Sequence, residues 1–520
     1  MSDAQSTTAE PEKREEFSGQ LGFILSAVGS AVGLGNIWRF PGVAYENGGG
    51  AFMVPYLIAL LTAGIPILFL DYAIGHRFRG SAPLAFRRVK RWLEGLGWFQ
   101  VAICFVIAVY YAVIIAWALS FFVYSFDLRW GDDTAAFFTG TYLQLADVGG
   151  TDAWFSLDFV PAVLIPLVLV WVATIVVLAA GVAKGLEKVN FVFMPLLLLA
   201  FGTLVVRALF LPGAADGLNA LFTPDWSAMA DPNVWIAAYS QIFFSLSIAF
   251  GIMITYSSYR RRRANLTSPG FVVAFANSGF EVFAGIGVFA ALGFLAHQQG
   301  MPVAELDGLT GPTLAFITFP ALVSEMPAGG IFGALFFGSL VMAGFTSLLS
   351  ILQVVSASFQ EKFGWTRTQA SVRIGVVAAV LSVLAFSTTT GLIALDTVDQ
   401  WANNIGIVAS AVVTTVAVGW VLRRTEEMRF HLNGVSTIQV GRWWTFCVVV
   451  LGPVVLTYML VSRIVTLIQG GYEGYAGWYL NLMGWGTVAL FLVAAFVLTR
   501  MRWRVDPDTF ETWPTFGGKS

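Results

Sequence analysis

Residues 29–36, Gly-Ser-Ala-Val-Gly-Leu-Gly-Asn, interrupt an apolar stretch, 20–46, that is long enough to cross a bilayer. Backbone groups freed at membrane depth must be satisfied by protein, water or a ligand. The interruption therefore predicts a broken spanning helix with a binding site at the break. A packing reading stands beside it, since Gly29 and Gly33 also form a small-xxx-small face for a neighbouring helix.

The rest of the chain sets that break in a membrane. Of 520 residues, 57% are hydrophobic and 12% charged, with a mean hydropathy of +0.75, which predicts an all-α polytopic membrane protein. Apolar stretches recur at 20–46, 50–76, 96–126, 160–181, 189–211, 233–258, 269–296, 330–358, 369–388, 395–422, 444–469 and 481–499. Twelve crossings put both termini on one side. Arginines crowd the loops holding Arg77, Arg79, Arg87 and Arg88, then Arg260 to Arg263, then Arg423, Arg424 and Arg429, whereas 212–231, 298–329 and 470–480 have no Lys or Arg. The positive-inside rule makes the arginine-bearing side, and both termini, cytoplasmic. Arg260 to Arg263 read as topology anchors and not as a nucleic-acid surface. Net charge of −2 says little about partners beyond the lipid bilayer, and Cys104 and Cys447 read as packing groups in apolar spans. Residues 1–16 read as a disordered cytoplasmic tail without the apolar core of a signal peptide.

A second interruption, Phe-Phe-Ser-Leu-Ser-Ile-Ala-Phe-Gly at 243–251, falls in the sixth stretch. Paired breaks at matching places predict a 5+5 inverted repeat: residues 17–211 (spans 1–5), then 212–424 (spans 6–10), followed by spans 11 and 12 at 425–500 and a tail at 501–520. Asn36, Ser245, Ser247, Asn277, Thr346 and Ser347 bring side-chain oxygens to comparable depth. A dehydrated alkali cation needs such dipoles, while hydroxyls that merely bond back to their own helix are the plainer reading.

Several strings resemble the neurotransmitter:sodium symporter family, in its bacterial amino-acid branch of the leucine-transporter type. They are Gly-Ser-Ala-Val-Gly-Leu-Gly-Asn-Ile-Trp-Arg-Phe-Pro at 29–41, Glu-Asn-Gly-Gly-Gly-Ala-Phe at 46–52, Tyr-Tyr at 110–111, Gln-Ile-Phe-Phe-Ser-Leu-Ser at 241–247, Ala-Gly-Phe-Thr-Ser at 343–347, and Asp399 before Trp401. The resemblance implies two Na⁺ sites. One comprises the carbonyls of Ala31 and Ser245 with the side chains of Asn36, Ser245 and Asn277; the other comprises the carbonyls of Gly29, Val32 and Ala343 with the hydroxyls of Thr346 and Ser347. It further implies that a substrate carboxylate meets the amides near Leu34 and Gly35 and the Tyr111 hydroxyl, and that its ammonium faces Ala31, Phe244, Ser245 and Ser247. Monoamine-carrying relatives have Asp where this chain has Gly33, so the cargo brings its own carboxylate. Ile107, Phe244, Phe250, Ile351 and Ser350 would line the side-chain pocket, with Ala249 where relatives taking bulky cargo have Gly. That pattern implies a sodium-coupled symporter of neutral, small to medium aliphatic L-amino acids. A non-transporting amino-acid sensor and a carrier of an osmolyte or ω-amino acid remain as alternatives.

Glu281 stands where chloride-dependent relatives have serine, beside Tyr56, Gln241, Ser245 and Asn277, which implies transport without chloride. Its carboxylate either stays ionised or carries a proton back. Arg39 with Asp399, and Arg14 with Glu361, match the family's two gates, the inner one flanked by Ser258 and Tyr259. Phe17 and Glu361 depart from the family's Trp and Asp. Asp71 reads as a structural partner to backbone. His76, His297 and His431 read as scattered loop or interface residues, and no nucleophile triad, metal-spaced cluster or nucleotide loop marks an enzyme. The expected assembly is a monomer or weak dimer.

Overall fold

The computed structural model describes residues 15–147, 154–306, 309, 311–504 and 506–507. The tail at 1–16, all but its last two residues, and Arg14 lie outside them, as does most of 501–520. The described residues form helices and connecting segments with two isolated bridges and no strand.

In chain order the principal helices are α1 (Gln20–Ala31), α2 (Gly35–Glu46), α3 (Gly50–Phe78), α4 (Ala82–Val89), α5 (Arg91–Tyr124), α6 (Pro161–Ala180) and α7 (Val182–Leu209). They continue with α8 (Pro232–Ser245), α9 (Ile252–Ser258), α10 (Thr267–Gln299), α11 (Gly329–Phe363), α12 (Arg367–Phe386), α13 (Gly391–Val421), α14 (Thr425–Val435), α15 (Arg442–Gly470) and α16 (Gly477–Arg500). Ten are long and apolar enough to span, or eleven with α1 and α2 counted as one crossing bent by 51°. Over the sixth apolar stretch the chain forms two short helices, α8 and α9, on either side of the interruption, and neither spans alone.

Sequence hydropathy and burial sort the helices into an inner and an outer set. The most apolar window of α5 is 83% buried and that of α16 only 22%. Outer faces present side chains such as Leu199, Ile165 and Phe496 outward, which is the surface a hydrocarbon phase covers. At the centre α5 packs most extensively on α11, while α1 is wedged among α7, α10 and α11.

The wedge depends on glycine. A Cβ on Gly29 would sit 1.9 Å from Asn190 Oδ1 of α7, and one on Gly22 the same distance from Glu187 Oε1. Glu187 in turn accepts from the amide and hydroxyl of Ser18, fixing the start of α1 against α7.

Both described ends and the arginine-bearing loops gather on one face. Arg79 donates to the Arg260 carbonyl, Arg77 pairs with Glu427 at 2.8 Å, and Phe17 N donates to Tyr259 O at 3.3 Å. At the other end Trp503 reaches the same face, where the buried Glu94 carboxylate collects Lys362 (2.7 Å), Arg87 (2.8 Å) and the Trp503 indole (2.9 Å).

Candidate functional site

Where α1 stops at Ala31, its carbonyls from Gly29 onward lose their helical partners. Val32 turns extended (φ −74°, ψ 95°), and its amide still reaches Val28 O at 2.6 Å. The carbonyls that follow are taken by side chains from α11 and from the segment between α8 and α9: Ser347 Oγ lies 3.4 Å from Gly29 O and 3.2 Å from Ser30 O, and Ser247 Oγ lies 3.0 Å from Ser30 O. On the far side of the break the Gly33 amide donates to Asn36 Oδ1 at 2.9 Å, and the Leu34 amide donates to the Tyr111 hydroxyl at 3.3 Å. One break thus presents carbonyl oxygens below and amide hydrogens above.

The second break is built by left-handed backbone. Ser247 (φ 52°), Ala249 (φ 65°) and Gly251 (φ 91°) carry the chain between α8 and α9. Each non-glycine residue held there costs about 1–2 kcal/mol. The surroundings over-determine it. Asp71 Oδ2 of α3 accepts from the Ala249 amide at 3.0 Å, Ser410 Oγ of α13 donates to the Ala249 carbonyl at 2.7 Å, and Cys104 Sγ of α5 reaches the Phe250 carbonyl at 3.0 Å.

Between the breaks runs a cavity of about 560 Å³. Of the residues expected to hold substrate, Ala31, Leu34, Gly35, Ile107, Tyr111, Phe244, Ser245, Ser247, Phe250, Ser347 and Ile351 line it. Gly35 is obligatory, because a Cβ there would lie 2.1 Å from the Phe244 ring. The side chains of the first expected cation site form one chain: Asn36 Nδ2 donates to Asn277 Oδ1 (2.8 Å), and Asn277 Nδ2 donates to Ser245 Oγ (3.0 Å). Of the second set, Gly29 and Ser347 meet as described, and Thr346 Oγ1 lies 3.0 Å from Ala343 O while also bonding back to Met342 O.

Glu281, fully buried on α10 one turn beyond Asn277, accepts from the Tyr56 hydroxyl and from Gln241 Nε2 at 2.6 Å. Three residues expected to act together are therefore in contact. Arg39 and Asp399 line the same cavity without pairing: Arg39 stacks its guanidinium 4.7 Å above the Phe244 ring, and Asp399 accepts from Asn403 at 2.7 Å. The cavity runs on past them to Glu473 and Tyr475, away from the face that holds the chain ends. Toward that face it is closed, where Phe17 is wedged edge-on among Phe23, Tyr256 and Tyr259 at 5.5–6.2 Å. Glu361 accepts from the amide (2.9 Å) and hydroxyl (2.6 Å) of Ser81 at the start of α4, and its expected partner Arg14 is outside the described residues.

Three expectations are corrected. Ser350 does not line the cavity; it accepts from the Tyr256 hydroxyl at 2.7 Å and bonds back to Thr346 O. Ala249 is fully buried outside the cavity, because its backbone is held by Asp71 and Ser410, so it does not set the pocket's size by contact. His76 and His431 are not scattered: His76 Nδ1 lies 2.9 Å from His431 Nε2. The carbonyl of Ser30 was missed, although any break after residue 31 orphans it.

The sequence profile described as the sodium:neurotransmitter symporter family matches residues 14–144 and 129–505 of this chain. The chain belongs to the sodium:neurotransmitter symporter family. This symporter is 38% identical over 495 residues to an uncharacterized sodium-dependent transporter of Methanocaldococcus jannaschii, covering 94% of this chain and 98% of that one. It is 30% identical to the sodium- and chloride-dependent creatine transporter 1 of Mus musculus, covering 91% and 80%. The crystal structure of MhsT in complex with L-phenylalanine superposes with a TM-score of 0.71 at 32% identity, covering 86% of this chain and all of that one. The symporter is thus a multi-pass, sodium-dependent membrane transporter of the same fold.

Proposed function

We propose that this symporter couples two Na⁺ to the uptake of a neutral, small to medium aliphatic L-amino acid by alternating access, without chloride. The observation that carries the reading is the break at residues 32–34, which turns carbonyls and amides of one chain segment into one cavity. Amides near Leu34 and Gly35, with Tyr111, receive the cargo's carboxylate; carbonyls at Ala31, Phe244 and Ser245, with Ser247, receive its ammonium. Asn36, Asn277 and Ser245 hold one Na⁺ beside the carboxylate, and Gly29, Val32, Ala343, Thr346 and Ser347 hold the other. Ile107, Phe250 and Ile351 disfavour a charged side chain, since an unpaired buried charge is costly. MhsT was crystallised with an amino acid, which supports cargo of that class.

Glu281 supplies a fixed negative charge inside the protein that takes the place of chloride, on which the creatine transporter depends by its name. Arg39 and Asp399 form the outer gate, Glu361 with Arg14 the inner one. In this reading α8 and α9 make a twelfth crossing, the two halves are inverted repeats, the arginine-bearing face is cytoplasmic in a bacterial-type plasma membrane, and the protein works as a monomer or weak dimer.

The test is sodium-dependent binding of each of the twenty amino acids to purified protein, followed by counterflow in proteoliposomes. Alanine, valine or leucine should bind tightest and exchange. Tryptophan outcompeting them would overturn the pocket assignment, a preference for an ω-amino acid would change the cargo class, and binding without counterflow would make the protein a sensor.

A further inference from the structure

A second cavity opens on the outer surface of the helix bundle, where α5, α11, α12 and α16 meet. It encloses about 410 Å³ and is walled by apolar side chains, among them Phe105, Val355, Val377, Leu381 and Leu490, with a single charged residue, Arg373. Val377 and Leu381 on α12 are exposed on this face, as is Leu490 on α16. From Arg373 to Leu381 the groove follows α12 for eight residues, about 12 Å at 1.5 Å per residue. Its deep end is purely hydrocarbon in character.

Arg373 marks the other end. Its guanidinium lies 4.8 Å over the Trp365 ring, and it pairs with no carboxylate among the described residues. Trp365 in turn joins Phe359 and Phe363 in a ring cluster at 5.6 Å. The stretch of α12 that carries the groove, Arg367 to Phe386, has no acidic residue. By contrast Arg367 and Lys362 nearby are both satisfied, by Glu15 and Glu94. Arg373 lies six residues, about 9 Å, into α12 from the end that shares a face with the chain's two ends.

We propose that this groove is a binding site for one anionic diacyl phospholipid of the leaflet on the side of the chain ends. One acyl chain fills the apolar slot along α12, and the phosphate takes the forked N–H donors of Arg373, which are geometrically suited to it. Trp365 holds the guanidinium in place from below, as aromatic rings do at the interface. The occupant is a lipid and not the amino-acid cargo, because the groove offers no acceptor for an ammonium. Its position against α11, which also carries Thr346 and Ser347, gives the lipid a place to bear on the transport helices.

Native mass spectrometry of the purified protein in mixed phosphatidylglycerol and phosphatidylcholine micelles tests it. Wild type should retain one phosphatidylglycerol in preference to phosphatidylcholine by about fivefold, the scale of one juxtamembrane basic residue. Arg373→Gln should erase that preference, and Arg373→Lys should keep most of it. Val377→Trp, at an exposed position that tolerates bulk, should displace the lipid altogether. Sodium-dependent substrate binding, measured on the same samples, confirms each variant's fold and is read independently of the lipid. Equal retention of the two lipids by wild type, an undiminished preference in Arg373→Gln, or a dimer cross-linked through Val377→Cys would each overturn the proposal.

Discussion

At the scale of single residues, the site rests on two positions whose identity is forced for opposite reasons. Gly35 is forced by space: a methyl group there would lie 2.1 Å from Phe244 Cε1, so Gly35→Ala must drive the ring into the cavity or push α2 off its course. Overpacking of this kind costs about 1–3 kcal/mol, and the displaced ring stands where cargo would sit. Gly35→Ala should therefore weaken substrate binding by about tenfold or more, since about 1.4 kcal/mol is a factor of ten, with little loss of folded protein on size-exclusion chromatography. Equilibrium dialysis with labelled leucine measures it. Glu281 is forced by charge. Its carboxylate accepts from Tyr56 and Gln241, and the shorter serine there leaves both donors without that acceptor. Glu281→Ser should make sodium-driven uptake depend on chloride, measured as uptake in chloride against gluconate; unchanged uptake in gluconate would sink the charge-replacement argument. Both residues were legible in the sequence, one as a glycine inside an interruption, the other one helical turn from Asn277. Ser350 and Ala249 were misplaced because linear position says nothing of which side of a helix or an unwound strand of backbone faces the cavity.

At the scale of elements, helix ends are held by long-range pairs that no local pattern announces. The His76–His431 contact ties α14, a helix outside the membrane-spanning set, to the end of α3. His76 Nε2 lies 2.9 Å from the Arg261 carbonyl and so carries its proton there, leaving Nδ1 to accept from His431 Nε2–H. His431 Nδ1 then has no partner. Burial, then the neighbouring His76 and Arg77, push the His431 imidazole down to about 2. Arg79 and Arg260 face the pair from the loops, and Glu427 answers Arg77. With an unfolded value near 6.5, the detached helix takes up a proton that the packed one refuses. The packed form is thus favoured above pH about 6.5 and loses stability by up to about 1.4 kcal/mol per pH unit below it. Amide exchange in residues 425–435, corrected for its intrinsic pH dependence, should accelerate as pH falls from about 7.5 to about 5.5 in wild type and stay level in His431→Gln. Hydropathy located the spanning helices because it depends on length and composition alone. It could not give this contact, which joins residues more than 350 positions apart.

At the scale of the whole molecule, the cavity is open past Asp399 and Glu473 and shut by Phe17 and Tyr259, so the structure is one half of a transport cycle. Both described chain ends and the arginine-bearing loops lie on the shut face. In the cycle proposed above, Arg39 leaves Phe244 for Asp399 while the Phe17 wedge comes out from between Tyr256 and Tyr259. A ligand drives such a change only by binding one state more tightly than the other. The Na⁺ sites proposed here bridge α1 to α10 and α11 with α1 docked, so sodium alone should hold the shut face closed. A cysteine at Ser258, fully buried beside the wedge, reports on it. Ser258→Cys should resist a membrane-impermeant thiol reagent applied to the arginine-bearing face in sodium, and react when sodium is replaced by potassium; Ile107→Cys, in the cavity wall, should show the reverse from the opposite face. Energetically, two Na⁺ moving with a neutral zwitterion gain about 4.6 kcal/mol at about 100 mV. Tenfold gradients of both ions add about 2.8 kcal/mol more, enough for accumulation on the order of 10⁵-fold. Coupling that strong survives only if no state leaves both faces open. Equal reactivity of Ser258→Cys with and without sodium would mean that the ions do not set the gate, and the coupled cycle would fail with it.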